Sequence, residues 1–474
     1  MIQLTTDAHD KIVSLLQSPE KKDKEKGYSM ALQLFEQFPT NVAFLFLAAN
    51  AHREIGAFPD HKGALAIARI LYKHCVQCKE EFPEAYNNLG VVSKSLGLRE
   101  EAIEFLKKSY QYQPNDADIV NNYGANHVAF GMTEKAIEII EGGLKDHPGH
   151  IKMLGNLGMA YLEKGQYDKG FELYSYHDKE DETRFRTYGK EKPQWDGSVG
   201  KGKTVVVYGE QGLGDEIMFA SVLPDMMKDV NVIFDCHERL QEIFRQSFPG
   251  LSIYGTRNEL NLYWPNNHKI DAQIRIGDLA AFYRKNESDF PGTAYLKADA
   301  DLSARIGERV KALGKRPKIG ISWVGGTNST NLHERKIPIE LLKPILRLDA
   351  EFISLQYNKE TGALLQHAFS EGLPTIHHWQ DILNDYDMTA ALLDNLDLVI
   401  SVPQSVVHLA GAMGVNTWQL CPKRGLWQQG EYGKDALWYK SVKNYWQVEH
   451  AAWEELLGRV EADLKTFIED KKCN

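Results

Sequence analysis

Several things are scarce in this sequence, and each absence excludes a class of protein. The N-terminus, MIQLTTDAHDKIVSLL, lacks the basic start, apolar middle and small-residue cleavage site of a secretory signal. No apolar run approaches the ~20 residues that span a bilayer; VAFLFLAANA is about half as long. Basic charge is not in excess: 55 Lys and Arg stand against 65 Asp and Glu, a formal charge of −10, which gives no electrostatic reason to hold nucleic acid. Cysteine is sparse, with 5 in 474 residues. Cys236, Cys421 and Cys473 are scattered, and only Cys75 and Cys78 form a CxxC pair. Without a second pair this reads as two residues on one helix face rather than a zinc or redox site. The expectation is a cytoplasmic protein with no metal, no transmembrane segment and no nucleic-acid partner. Its length favours two or three domains.

What is present begins with a repeat. Laid against itself at a spacing of 34 residues, the N-terminal third brings Asn88-Leu89-Gly90, Asn122-Tyr123-Gly124 and Asn156-Leu157-Gly158 into register. Gly97, Gly131 and Gly165 follow at the same spacing, then Ala102, Ala136 and Gly170, with Pro114 and Pro148 closing successive units. A small residue in each helix, a glycine at the turn and a proline at the end let two helices pack closely and stop. The pattern resembles the tetratricopeptide repeat. Upstream, FLFLAANAHREIG and GALAIARILYKHC read as a further helical pair whose longer turn contains Pro59, so three clear repeats are preceded by degenerate ones. Such stacks offer a groove to protein or peptide partners, or a surface for self-association. Asn88, Asn122 and Asn156 either line that groove or cap neighbouring helices.

Residues 178–203, rich in charge, Gly and Pro, read as a linker. Beyond it, the apolar runs TVVVYG, NVIFDC, KIGISWVGG, EFISLQ and LDLVISV alternate with helical patterns, the signature of parallel sheets buried on both faces. A basic break, ALGKRPK, divides them into two sheets with a cleft between. The expected organisation is a helical repeat domain at 1–177, a linker at 178–203 and two α/β domains at 204–315 and 316–474.

The glycine-rich stretch YGEQGLGDEIMFAS occupies the turn after the first strand, where ligands bind in open α/β sheets. Its order, G-x-x-G-x-G, is neither the dinucleotide fingerprint nor a P-loop. Asp215 ends the turn, as a helix cap or as an acid with chemistry to do. In LDLVISVPQSVVHLAGAMG a helix begins near Gln404 and Ser405; its free N–H groups, those of Ser405 and Val406 especially, suit a diphosphate, with His408 one turn on. The loop GGTNSTNLHERKIP carries Arg335 and Lys336 towards the same cleft.

In their order and spacing, GEQGLGDEIMFA, GISWVGG, Ser354 to Gln356, DMTAALLDNLDLVISVPQSVVHLAGAMG and the preceding PQWDG resemble tetratricopeptide-repeat proteins that carry a heptosyltransferase-like glycosyltransferase region, over about residues 84–445. The resemblance implies a GT-B fold of two Rossmann-like domains behind the helical solenoid. It also implies inverting, metal-independent transfer from a nucleotide diphosphate sugar, used as substrate with no cofactor, to a protein or glycan acceptor. On that reading Asp215 is the base, and Gly212, Gly214 and Glu210 form the acceptor-side loop with Glu210 in reserve. Arg335, Lys336, Gln404, Ser405, Val406 and His408 hold the diphosphate, and Gln356, Asp387, Thr389 and Ala390 lie on the nucleoside side. One departure stands out: related sequences often read Asp-Thr where this one has Pro403 and Gln404. The alternative is a repeat-based binding scaffold whose α/β region senses a nucleotide sugar or is degenerate.

Overall fold

The computed structural model describes residues 2–178 and 188–473, apart from positions 62, 189–191, 199, 211, 260, 327–331, 431 and 451. The chain divides into two compact units, Met1–Ala160 and Tyr161–Asn474.

The first unit is a run of antiparallel helices. They are α1 (Ile2–Gln17), α2 (Lys21–Gln37), α3 (Val42–Ile55), α4 (Ala64–Cys78), α5 (Pro83–Ser95), α6 (Arg99–Tyr112), α7 (Ala117–Ala129), α8 (Thr133–Asp146) and the greater part of α9 (Ile151–Glu163). Local chemistry sets their starts. Pro83 opens α5, where its missing N–H costs nothing. Asn41 caps α3 through Ala43 N (2.9 Å), and Asp116 caps α7 through Ile119 N (2.9 Å). The 34-residue register has a packing cause. A Cβ on Gly90 would come within 2.5 Å of Leu106 Cγ in α6, and one on Gly124 would overlap Ile140 in α8. Gly97, Gly131 and Gly165 turn the chain with φ of 76°, 71° and 69°. The expected upstream pair is α3 and α4, with Pro59–His61 forming a short helical turn between them. Cys75 is buried and Cys78 exposed, both free.

The second unit begins with the end of α9 and α10 (Tyr167–Tyr174). Phe171 and Tyr174 pack edge-on against Trp427 at 5.9 and 5.8 Å, and Glu163 pairs with Arg424 at 3.3 Å. These contacts join α10 to the α/β region. Its first sheet contains β1 (Thr204–Tyr208), followed by α11 (Leu213–Ala220), β2 (Asn231–Asp235), α12 (Gln241–Ser247), β3 (Ser252–Tyr254) and β4 (Ala272–Arg275), in the parallel order β3-β2-β1-β4. α13 (Ala300–Lys311) then leads to the second sheet. That sheet contains β5 (Lys318–Ser322), β6 (Glu351–Ser354), α14 (Thr361–Ser370), α15 (Tyr386–Leu393), β7 (Leu398–Ser401), α16 (Ser405–Met413), β8 (Thr417–Cys421) and β9 (Val442–Trp446), and α17 (Trp453–Cys473) follows. It is parallel throughout, in the order β6-β5-β7-β8-β9. α13 packs on the second sheet's side: Asn395 Nδ2 donates to Ser303 O (2.9 Å), and a Cβ on Gly307 would meet Asn395. Strands β1, β5, β7 and β8 are almost wholly buried, as the inner strands of a parallel sheet covered on both faces are. Among the described residues no helix is long and apolar enough to cross a membrane.

Candidate functional site

Two places in the molecule collect polar groups with work left to do. The first is a row of amides across the repeats. Asn88 Nδ2 donates to Asn50 Oδ1 (2.9 Å), Asn122 Nδ2 to Asn87 Oδ1 (3.0 Å) and Asn156 Nδ2 to Asn121 Oδ1 (2.9 Å). Each rung links the first helix of one repeat to that of the repeat before, so these asparagines do not cap helices. Arg53 and Asn87 both donate to Asn88 Oδ1. Among the described residues no donor reaches Oδ1 of Asn122 or Asn156, both half-buried. Val91, Ala125 and Met159, three residues further along each helix, are also half-buried and supply an apolar strip beside the rungs.

The second place lies within the α/β unit, where the start of α11 meets the start of α16. The glycines between them have specific neighbours. A Cβ on Gly209 would overlap the Glu216 carboxylate, and one on Gly212 would overlap that of Asp215. On Gly214 it would stand 3.0 Å from His408 Cδ2 and 3.3 Å from Ser405 Cα. The turn therefore seats two carboxylates and a neighbouring helix instead of forming an open cradle. Asp215 Oδ1 accepts from Gln428 Nε2 at 2.9 Å. Glu210 points elsewhere: it is buried, pairs with Arg275 Nε at 3.4 Å and sits on Gly277.

Arg335 and Lys336 fall on a short antiparallel bridge, Val324 with Lys336, closed by Gly325 N to Arg335 O (3.0 Å) and Ile337 N to Trp323 O (2.9 Å). Side chains alternate across such a bridge. Arg335 is accordingly buried and donates to Pro403 O (3.2 Å), while Lys336 is exposed. Burial lowers the Arg335 pKa against the opposing pull of the Asp215 and Glu334 charges. The tip of that loop, 327–331, lies outside the described residues.

Gln356 and Gln404 both turn inward on Ser322 at the end of β5. Gln356 Oε1 accepts from Ser322 Oγ (2.8 Å) and Val324 N (3.1 Å), and its Nε2 donates to Val324 O (3.1 Å). Gln404 Nε2 donates to Ser322 Oγ and to Ser401 Oγ (3.2 Å). These amides latch the carboxyl ends of β5, β6 and β7 together. Ser405 Oγ accepts from Tyr386 OH (2.8 Å), and Thr389 Oγ1 donates to Asp385 O (2.7 Å). Ala390 is in the core and Val406 is buried at the helix start. Asp387 faces Asp385, Glu242 and Asp299; burial first, and then those charges, push its carboxyl up to about 6.

A cavity of about 110 Å³ separates these groups, lined by Leu213 and Arg239 from the first sheet's side and Tyr357, Tyr386, Thr389 and Ser405 from the second's. Small-molecule sites usually enclose roughly 300–1,000 Å³, and this space is of the size of a ring-like group. Arg239 lies over the Tyr386 ring at 4.8 Å. Among the described residues no cluster of His, Cys, Asp and Glu is placed to hold a metal.

Sequence reasoning missed Arg239, Gln428, Tyr439 and Glu216. Tyr439 OH lies 3.2 Å from His408 Nδ1. Glu216 is fully buried, accepts from His237 N (2.7 Å) and pairs with Arg257 (3.1 Å); burial drives its carboxyl up to about 8. Only Glu216 had a visible signal, an acid on the core face of a helix one residue after Asp215.

Similarity to known proteins is of two kinds: the family model and the solved structures match about a third of the chain or less, and one curated relative matches more than half. The tetratricopeptide-repeat profile matches residues 83–116, which are α5, α6 and the turn after them. Over 306 residues the chain is 29% identical to Protein FlbA of Caulobacter vibrioides, covering 60% of this chain and 50% of FlbA. The chain thus spans about half the length of that relative. Among solved structures, MamA aligns over 35% of this chain and 94% of its own at 23% identity, with a TM-score of 0.29. YrrB, a tetratricopeptide-repeat protein with an unusual peptide-binding site, aligns over 34% and 79% at 18% identity, with a TM-score of 0.27. The architecture of the chain is an N-terminal helical repeat region, which resembles the tetratricopeptide type and matches it at residues 83–116, followed by parallel α/β sheets.

Proposed function

We propose that the protein is a cytoplasmic protein-binding scaffold whose repeats hold an extended polypeptide segment while the α/β unit supports the assembly or senses a small ligand. The observation that carries this reading is the row of asparagine rungs. Each rung fixes an amide by its Nδ2, and at Asn122 and Asn156 the fixed Oδ1 is left to accept a main-chain N–H. Main-chain hydrogen bonds hold a peptide irrespective of its side chains, and the strip of Val91, Ala125 and Met159 adds apolar contact. The test is quantitative affinity capture with the full chain, comparing the triple variant Asn88→Ala, Asn122→Ala, Asn156→Ala with Asp215→Asn. The triple variant should lose partners that Asp215→Asn retains; identical partner sets would remove the repeats from the interaction.

A second reading is inverting, metal-independent sugar transfer from a nucleotide diphosphate sugar on a GT-B fold, with Asp215 as base. What supports it is the meeting of the α11 start and the α16 start beside one small cavity, with buried Arg335 held on Pro403 O just before α16 and within reach of the Asp215 charge. Nucleotide release from a panel of UDP-, GDP- and ADP-sugars is the direct test. On this reading Asp215→Asn lowers turnover about 10²-fold, and Arg335→Ala weakens diphosphate binding by about 1.5–3 kcal/mol. Donors that neither bind nor release nucleotide would leave the scaffold reading alone.

A further inference from the structure

The stretch PQWDG, Pro193–Gly197, belongs to neither site above, and the structure gives it a place. Gln273 N donates to Pro193 O (3.0 Å) and Trp195 N to Gln273 O (2.8 Å), so residues 193–195 lie along the edge strand β4 as a short parallel bridge. Trp195 is buried with its ring 4.8 Å from that of Phe282, and Gly197, with φ of 85°, lies where a Cβ would stand 3.2 Å from the Phe282 ring. Main-chain groups of successive strand residues point to opposite edges. With Pro193 and Trp195 facing β4, the N–H and C=O of Gln194 face outward, and no described residue bonds them.

This open edge borders a groove of about 780 Å³, within the roughly 300–1,000 Å³ usual for a binding site. One wall is α10, which presents Asp168, Phe171 and Glu172 at the three- and four-residue spacing of a single helix face. The other is formed by the short helical segments Ile276–Leu279 and Ala280–Tyr283, where Phe282 is exposed. Charge divides the walls. Asp168 and Glu172 are exposed and pair with no described residue. Asp278, by contrast, is already bonded to Arg275 at 2.7 Å, and among the described residues the one cation lining the groove is Lys285. The groove thus combines an unanswered pair of carboxylates, an exposed aromatic ring and a free main-chain edge.

We propose that this groove docks an extended polypeptide segment of a partner protein that carries arginines at alternate positions. Alternate residues of an extended chain lie on one side, roughly 6.5 Å apart, and Asp168 and Glu172 are separated by about 6 Å along α10. Each guanidinium therefore meets one carboxylate, with two parallel N–H bonds to offer it. Phe282 gives one guanidinium a ring to lie on, and Gln194 pairs with the main chain of the segment as with an added strand. The formal charge of −10 also draws a basic partner over distance. The inference rests on neither reading above, because the groove lies wholly in the second unit and shares no residue with the asparagine row or the cleft.

The experiment is calorimetric titration of the full chain with two peptides of equal composition, Ac-Ala-Arg-Ala-Arg-Ala-NH2 and Ac-Ala-Arg-Arg-Ala-Ala-NH2. The alternating peptide should bind, and the peptide with adjacent arginines should bind several-fold more weakly. Asp168→Asn with Glu172→Gln should weaken the alternating peptide roughly tenfold, and Phe282→Ala about threefold. Both variants should melt with the parent, because the three side chains are exposed. Glu454→Gln with Glu469→Gln removes the same charge from exposed positions on α17 and should leave the affinity unchanged. Equal losses from the two double variants, or equal affinity for the two peptides, would reduce the attraction to net charge and overturn the proposal. Binding of neither peptide would also overturn it, and self-association abolished by Phe282→Ala would then make a second copy of the chain the occupant.

Discussion

Glycine does different work in the two units. In the helical unit Gly97 and Gly131 turn the chain with positive φ, while Gly90 and Gly124 admit a neighbouring helix, and every role recurs 34 residues on. In the cleft Gly209, Gly212 and Gly214 have no positive φ among them, and each yields to one neighbour: Glu216, Asp215, and the pair Ser405 and His408. A repeat states its packing rule several times, so a sequence displays it. A site states each contact once, between residues up to about two hundred positions apart, and displays almost nothing.

The largest expected effect breaks the repeat side of this comparison. Gly90→Val places a branched side chain where even a Cβ would come within 2.5 Å of Leu106 Cγ. Leu106 is fully buried and has no room to give, so the cost should be about 2–3 kcal/mol, in the usual range for overpacking. The nine tryptophans all lie between Trp195 and Trp453, in the second unit. The denaturation midpoint followed by far-ultraviolet circular dichroism should therefore fall while the tryptophan-fluorescence midpoint stays. Equal shifts in both would mean that the units unfold together.

Legibility followed the same division. The period in Gly90, Gly124 and Gly158 located the helical pairs, and continuous apolar runs located β1, β2, β5, β6 and β7. Strand β3 has three residues, too few for a pattern, and β4 and β8 carry buried glutamines, Gln273 and Gln419, that interrupt the apolar run. β9 is an edge strand in which exposed Lys443 and half-buried Asn444 separate Val442 from the buried pair Tyr445 and Trp446, so VKNYW shows neither an apolar run nor a period of two. In the cleft, the types of residue at Asp215, Arg335, Ser405 and His408 were legible, but their orientations were not. Strand alternation separates Arg335 from Lys336, and Ser322 draws Gln404 and Gln356 inward. Gln428, in a single helical turn at Trp427–Gln429, and Tyr439, in an irregular segment, stand in a relation to Asp215 and His408 that only the fold creates.

A smaller effect tests the buried carboxyl beside Asp215. Burial raises the folded-state pKa of Glu216 from an ordinary 4.5 to about 8, so the folded chain favours the protonated form. The stability this contributes is full below about 4.5 and is lost as pH rises through about 8. Glu216→Gln, which is neutral throughout, should gain in melting temperature relative to the parent as pH rises across that window. A variant that instead loses ground with rising pH would show that the Arg257 pair at 3.1 Å outweighs burial.

The smallest effect on stability belongs to the asparagine rungs, and it separates folding from binding. Asn122 is half-buried and donates one bond, to Asn87 Oδ1 at 3.0 Å; Asn156 does the same to Asn121. A partly solvated neutral hydrogen bond contributes roughly 0.5–1 kcal/mol, because water replaces the lost partner. Asn87 and Asn121 are more deeply buried, and their carbonyls set the upper end of that range. Asn122→Ala and Asn156→Ala should each cost no more than about 1 kcal/mol by denaturant titration, and their costs should add, because the two rungs share no atom. The double variant remains folded, yet it lacks both of the open Oδ1 acceptors on which the scaffold reading depends. Partner affinity should fall by more than the denaturation cost accounts for. A double variant that loses about 3 kcal/mol or more of stability would make the row an internal brace of the solenoid, leaving little of it free for a partner.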